Sequence, residues 1–301
     1  MKKISLFDQD LLVRDFVCSS SKDVLYPSDV SLRLYIKMTD CCNADCKFCA
    51  NGTSKDFGEI DFKKLKFVIR YLLDKNILNG ISITGGEAMV NPTKLNALIN
   101  LIFDIDDGLE VCISTNGHNL RNFAYFDQVN KLESIHISRH HYDDVVNKEI
   151  FLSDKIADRD DILYLQERLD DKKIININTM VMRDYINSLP EIKKMLDFVG
   201  DIGIYKNGFV SLMKCNDYAR EQFINFNDIF NNLDDSFFMG HHFYARSYCE
   251  CCDGLYLTKN NKLVEFYARM VKECSPSYTN QLVYTSDNKV KDGFNGKVLY
   301  K

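Results

Sequence analysis

The sequence predicts an α/β fold built on a parallel sheet, and three observations carry that expectation. Short apolar or β-branched runs alternate with stretches of helical periodicity between about residues 31 and 215. Polar and sulfur-bearing residues gather directly behind those runs, as they do where parallel strands end at a ligand site. From about residue 216 the alternation is lost, which sets the end of the main unit. With 301 residues, 46% of them hydrophobic, the chain is long enough for one large domain and an appendage.

The strand runs are 31–38 (SLRLYIKM), 80–84 (GISIT), 109–114 (LEVCIS), 133–138 (ESIHIS), 174–182 (IININTMVM) and 209–215 (FVSLMKC). Between the first two, Phe62, Leu65, Ile69 and Leu72 recur at helical spacing. After the second, Asn91 and Pro92 read as an N-cap and first helical residue ahead of Leu95, Leu98, Ile99 and Ile102. Residues 189–199, with Ser188 before and Gly200 behind, form a third helical pattern. Strand–helix units of this kind require right-handed crossovers, so the sheet is either open or a barrel closing on itself. The expected organisation is an N-terminal extension over 1–30, the barrel-like unit over 31–215 and a C-terminal appendage over 216–301.

A net charge of −5 argues against a nucleic-acid surface. The chain has no apolar run of about 18 residues and no signal-peptide architecture at Met1, which together predict a cytoplasmic protein off the membrane. Eleven cysteines in that compartment point to metal where they cluster and to core packing where they stand alone. The cluster follows the first strand in TDCCNADCKFCANG, residues 39–52, where Cys42, Cys46 and Cys49 form CxxxCxxC. Three thiolates on one tight loop can each take one iron of a [4Fe–4S] cube and leave the fourth iron open. A zinc site completed by Cys41 or a distant cysteine is the competing reading, and with it a zinc-stabilised binding protein. A non-catalytic electron carrier would leave the polar strand ends without a purpose. Behind the later strands stand Gly85-Gly86-Glu87, Ser114 to Gly117, Ser138 to His141, Asn176 to Met180, and Lys214 with Cys215.

CxxxCxxC with Phe48 before its last cysteine, placed behind the first strand, together with GGE behind the second, closely resembles the radical S-adenosylmethionine (radical SAM) superfamily. The resemblance implies a partial (β/α)6 TIM-like barrel over about 31–215. It implies that Cys42, Cys46 and Cys49 hold a [4Fe–4S] cluster chelated by S-adenosylmethionine, whose reductive cleavage gives a 5′-deoxyadenosyl radical that removes a hydrogen atom from the substrate. Gly85 and Gly86 would let the backbone approach the SAM amino group and Glu87 would help bind it. Ser114 and Asn116 would contact the ribose, Ser138 and Arg139 a ribose or carboxylate, and Phe48 and Met180 the adenine. Turn chemistry competes for Ser114 and Asn116, and core packing for Met180. His140 and His141 read first as surface or satisfied loop histidines and second as substrate contacts, while His241 and His242 carry no motif.

Cys249, Cys251, Cys252 and Cys274, set around CDGLYLTKNNKLVEF, resemble the start of a SPASM or twitch auxiliary-cluster region, which implies a second [4Fe–4S] cluster with Cys215 as a further candidate ligand. The hairpin's expected closing cysteine is replaced near Phe266. By the same resemblance Cys215 is a candidate hydrogen-atom donor, as in peptide epimerases. Cys18, Cys41 and Cys112 read as core or incidental thiols. The substrate expected is a ribosomally made peptide, oxidised, cross-linked or epimerised, with a small sugar, nucleotide or amino acid as the alternative, and the electron comes from a donor such as flavodoxin or ferredoxin. Only about 30 residues precede the first strand, fewer than an independent recognition domain needs, so a peptide would be captured directly or through a separate protein.

Overall fold

The computed structural model of the chain describes residues 2–13, 32–52, 54–230, 254–257, 263–267, 279 and 281–301. In chain order its elements begin with a hairpin, β1 (Lys2–Leu6) and β2 (Gln9–Val13). The barrel unit follows as β3 (Leu32–Lys37), α1 (Phe62–Asp74), β4 (Leu78–Thr84), α2 (Pro92–Ile105), β5 (Glu110–Thr115), β6 (Ser134–Ser138), α3 (Asp144–Phe151), α4 (Arg159–Gln166), β7 (Ile175–Val181), α5 (Leu189–Asp201) and β8 (Lys206–Ser211). Then come α6 (Asp217–Gln222), α7 (Phe226–Phe230), β9 (Gly254–Leu257), β10 (Leu263–Tyr267), β11 (Gln281–Tyr284), β12 (Val290–Lys291) and β13 (Val298–Tyr300).

Strands β3 to β8 lie side by side in sequence order, each parallel to the last, which is the arrangement of a partial barrel. Apolar residues at every second position make one face of this sheet. Leu34, Ile36, Ile81, Ile83, Val111, Ile113, Ile135, Ile137 and Ile177 share one core with Leu65 and Val68 of α1, Leu98 and Ile102 of α2, and Ile192 and Met195 of α5. The alternate positions, among them Arg33, Ser82, Cys112, Ser114, Ser138 and Asn178, are half-buried or exposed. A parallel sheet covered on both faces reads as continuous apolar runs; this alternation marks an inner face left open to solvent or ligand.

The helix signals hold to different degrees. Asp61 caps α1 by accepting from the Lys63 and Lys64 amides at 2.9 and 3.0 Å, and Asn91 caps α2 by accepting from Lys94 at 3.0 Å. Ser188 occupies the cap position of α5 but makes no capping bond. The sixth strand ends earlier than its apolar run suggests: Asn207 and Gly208 pair with Ile177 and Asn178, while Leu212 to Cys215 lie beyond the ladder. Helices α3 and α4 are additions between β6 and β7, capped by Asp143 and by an Asp158–Asp161 capping box. The β1–β2 hairpin escapes sequence reading because its turn places Phe7 and Asp8 at φ of 50° and 60°, a conformation normally announced by Asn or Gly.

The segments on either side of the barrel unit are joined to it. Strand β10 pairs parallel with β8 and β11 pairs parallel with β3, so the main sheet runs β13-β12-β11-β3-β4-β5-β6-β7-β8-β10-β9 among the described residues. Phe266 of β10, only 1% exposed, stacks on Phe209 of β8 at 5.3 Å and meets Phe226 edge-on at 5.5 Å. No helix of the described residues is long and apolar enough to cross a membrane.

If this added strand is part of the barrel's cooperative core, Phe266→Ala will lower stability to chemical denaturation by about 3–5 kcal/mol, the usual cost of emptying a buried aromatic site. An unchanged unfolding midpoint for the barrel would mean that β10 is energetically separate.

Candidate functional site

The cysteine loop leaves the end of β3 and is pinned at several points. The Cys42 amide donates to Ser54 O at 3.3 Å, the Asp45 amide to Phe151 O at 3.0 Å and the Cys49 amide to Cys46 O at 3.0 Å. Asn43 Nδ2 reaches Lys155 O at 2.7 Å. Burial pushes the Cys46 thiol up to about 12, with Cys49 and Cys42 adding to the shift, and burial likewise raises Cys42 against the bond from the Ala44 amide. Cys42 and Cys46 therefore sit in a partly desolvated pocket, where ionising them is favoured by a nearby positive charge. Among the described residues no three His, Cys, Asp or Glu side chains converge closely enough to hold a single metal ion. Pairwise coupling around the loop suits a multi-iron cluster, in which each thiolate takes its own iron. Cys41 is buried, with its backbone bonded to Glu87 and bridged to Ser54.

The glycines behind β4 stand against the cysteine loop. The Gly86 amide donates to Thr39 O at 2.7 Å and the Glu87 amide to Cys41 O at 2.9 Å, so the segment docks on the backbone of the cysteine loop. A Cβ at Gly86 would stand 2.3 Å from Cys41 O, and one at Gly85 would stand 2.8 Å from Thr39 O. Only glycine permits that approach at position 86.

Glu87 is 2% exposed and its carboxylate is already engaged. Oε1 accepts from the Met89 amide at 2.9 Å and from Thr115 Oγ1 at 2.6 Å, and Oε2 accepts from the Asn116 amide at 2.6 Å. Burial lifts its pKa to about 7, against the lowering effect of these three donors. Asn116, assigned by resemblance to the ribose, instead donates to Asn43 Oδ1 at 2.9 Å and to Cys42 Sγ at 3.9 Å. Its own Oδ1 accepts from the His118 amide at 2.9 Å. The two side chains thus tie β4, β5 and the cysteine loop together. Thr39, Asn43 and Thr115 take part unforeseen; the strand alternation that puts Ser114 on the inner face puts Thr115 toward Glu87, and that was the available signal.

On the inner face, Ser114 is exposed and Ser138 half-buried, in register with His136 and Asn178, and neither hydroxyl has a protein partner among the described residues. Phe48 and Met180 each pack against a small apolar cluster of Ile150, Met182 and Leu212. Arg139 goes elsewhere. It is one residue out of phase with Ser138, so it lies on the helix side, 1% exposed, paired with Asp144 at 2.7 Å and set over the Phe198 ring at 4.3 Å. Its Nη2 also donates to Tyr142 O at 3.0 Å, so this guanidinium is engaged away from the inner face.

The adjacent histidines are not on the surface. His140 and His141 are 4% and 8% exposed, and His141 Nδ1 accepts from the Asp143 amide at 3.1 Å. Cys112 is not core: it sits on the inner face and accepts from Arg33 Nη2 at 2.8 Å. Cys215 is exposed beyond β8, 3.6 Å from Phe48 O, and Asn216 Nδ2 donates to Lys47 O at 2.9 Å, so this turn also touches the cysteine loop. Cys18, His241, His242, Cys249, Cys251, Cys252 and Cys274 lie outside the described residues.

The close approach at Gly86 makes a direct prediction. Gly86→Ala will push the strand end off the cysteine loop and lower iron retention after anaerobic reconstitution several-fold. Gly200→Ala, which adds a Cβ with nothing within 4 Å, will leave iron content at the wild-type level.

Comparison with known proteins follows the same residues. The family model described as Radical SAM superfamily matches residues 36–199. The GTP 3′,8-cyclase of Campylobacter curvus (strain 525.92) is 25% identical over 171 residues, covering 55% of this chain and 51% of that protein. Among solved structures, Streptococcus suis SuiB bound to S-adenosylmethionine aligns with a TM-score of 0.63 at 16% identity, over 89% of this chain and 63% of that one. SuiB bound to its precursor peptide SuiA gives a TM-score of 0.61 at 17% identity, over 89% and 62%. The chain thus spans about half the length of the cyclase, and its likeness to SuiB is one of fold. The matched segment contains the cysteine loop, the GGE segment and four of the six central strands whole, and the chain belongs to the radical SAM superfamily, enzymes that work with a [4Fe–4S] cluster and S-adenosylmethionine.

Proposed function

We propose that Cys42, Cys46 and Cys49 hold the [4Fe–4S] cluster, that S-adenosylmethionine binds at its open iron, and that the enzyme modifies a ribosomally made peptide by oxidation, cross-linking or epimerisation. The observation that carries this reading is the single loop on which the three thiols stand, docked through Gly86 and Glu87 against the strand ends. When bound there, the cluster and its partner supply an electron to the sulfonium and a 5′-deoxyadenosyl radical that takes a hydrogen atom from the substrate.

The residues of this chain do the binding and orienting. Phe48 and Met180 form an apolar wall, and Ser114 and Ser138 present free hydroxyls on the inner face. Gly85, Gly86, Glu87 and Asn116 fix the loop that carries the cluster, and Arg139 supports the β6 end from behind. Cys215, exposed beside the cysteine loop, is a candidate hydrogen-atom donor to a substrate radical. A second cluster on residues drawn from Cys249, Cys251, Cys252 and Cys274 belongs to the same proposal, as does a one-electron donor such as flavodoxin or ferredoxin.

A peptide substrate is favoured by the fold shared with peptide-bound SuiB over most of this chain. A small molecule, a nucleotide above all, is the second reading, and it draws on the named cyclase relatives. Anaerobic incubation with dithionite and S-adenosylmethionine tests the core of the proposal. The wild type will release 5′-deoxyadenosine, and the variant with Cys42, Cys46 and Cys49 all changed to Ala will release none above the dithionite background. Cleavage that survives in that variant would contradict the proposed ligands. Stimulation of cleavage by GTP but not by peptides would replace the peptide with a nucleotide.

A further inference from the structure

His140 stands two residues beyond the last residue of β6, Ser138, where the parallel ladder runs out. The Arg139 amide still donates to Asn178 O at 2.9 Å, but the next donor across, the Met180 amide, finds no backbone carbonyl and is accepted by His140 Nδ1 at 3.2 Å. The His140 amide is in turn accepted by Asn147 Oδ1 at 2.8 Å, and the ring lies flat on Phe151 at 4.7 Å with an interplanar angle of 11°. Backbone, ring plane and Nδ1 are all fixed.

An amide N–H can only donate, so Nδ1 must carry the lone pair and a neutral ring must hold its proton on Nε2. Burial keeps the ring neutral, its pKa pulled down to about 3. The residue is only 4% exposed, and among the described residues Nε2 has no hydrogen-bond partner. The ring beside it is Phe48, edge-on at 5.3 Å, in the apolar cluster that includes Met180. A single N–H donor set in an otherwise apolar, aromatic corner suits a flat heteroaromatic ligand with an acceptor in its plane.

We infer that His140 is a positioning residue of the site, a fixed neutral donor whose Nε2–H bonds an acceptor on a heteroaromatic ring lying against Phe48. This rests on the SAM-cleaving reading, and the probe is S-adenosylhomocysteine, which carries an adenine but cannot be cleaved reductively to the radical. His140→Asn keeps an acceptor where Nδ1 stood, preserving the strand-end bond, and deletes the Nε2 donor. His140→Gln restores a donor near Nε2.

On anaerobically reconstituted protein, with iron content matched, His140→Asn will bind S-adenosylhomocysteine about tenfold more weakly than wild type in calorimetry, and His140→Gln will recover part of the loss. Nitrogen-15 NMR of the histidine rings will show His140 as the neutral Nε2–H tautomer before any ligand is added. An Nδ1–H tautomer or an imidazolium at neutral pH would overturn the inference. So would unchanged affinity in His140→Asn beside normal binding by wild type, since the ring would then serve only the strand end. Wild-type protein that holds its iron but binds no S-adenosylhomocysteine would sink the SAM-cleaving reading as well.

Discussion

The close approach between Gly86 and the Cys41 carbonyl is the contact on which the site depends. Without a side chain at position 86, the end of β4 can lie on the backbone of the cysteine loop and exchange bonds with Thr39 and Cys41. That docking carries Glu87 into the interior, where burial would be costly for a carboxylate without donors. Thr115, Met89 and Asn116 supply them, and Asn116 passes the constraint back to the loop through Asn43 and Cys42. Sheet, turn and loop are closed into one hydrogen-bonded unit, which is what a set of thiols needs if its geometry is to be set before a cluster arrives.

The two faces of the sheet divide the work. Helices cover the apolar face, and the other carries hydroxyls, amides and sulfur at alternate positions toward the strand ends. A radical must be formed away from solvent and next to a bound substrate, so a cluster loop at the strand ends and a polar inner face below it answer the same requirement. Strands β10 and β11 add to both edges of the central six and widen that face.

Much of this was legible in the sequence, and the failures share a cause. Strand and helix runs with clean periodicity fall within a few residues of the observed elements, and CxxxCxxC and GGE mark the loop and the strand end that dock on each other. Side-chain roles were harder. Arg139 looked like a ligand clamp because it follows Ser138, but period-two alternation turns it to the helix side against Asp144 and Phe198. Glu87 and Asn116 look free in sequence because the partners that tie them to other elements lie 28 to 74 positions away. His140 looked like a loop residue because nothing in a one-dimensional pattern announces that a ladder runs out and a ring nitrogen replaces the missing carbonyl. The β1–β2 turn hid for a local reason, since Phe7 and Asp8 are not residues that advertise positive φ.

The Glu87 side chain couples the sheet to the cysteine loop, and amide hydrogen exchange compared between wild type and Glu87→Leu is the measurement that decides it. Wild type should protect the amides of Gly86, Glu87 and Asn116 together, because each donates to a buried acceptor. In Glu87→Leu, faster exchange should spread from Asn116 to the amides of residues 39–49 while the core strands β5 to β7 keep their protection. Faster exchange confined to Met89 and Asn116, with the cysteine loop unchanged, would contradict the claim.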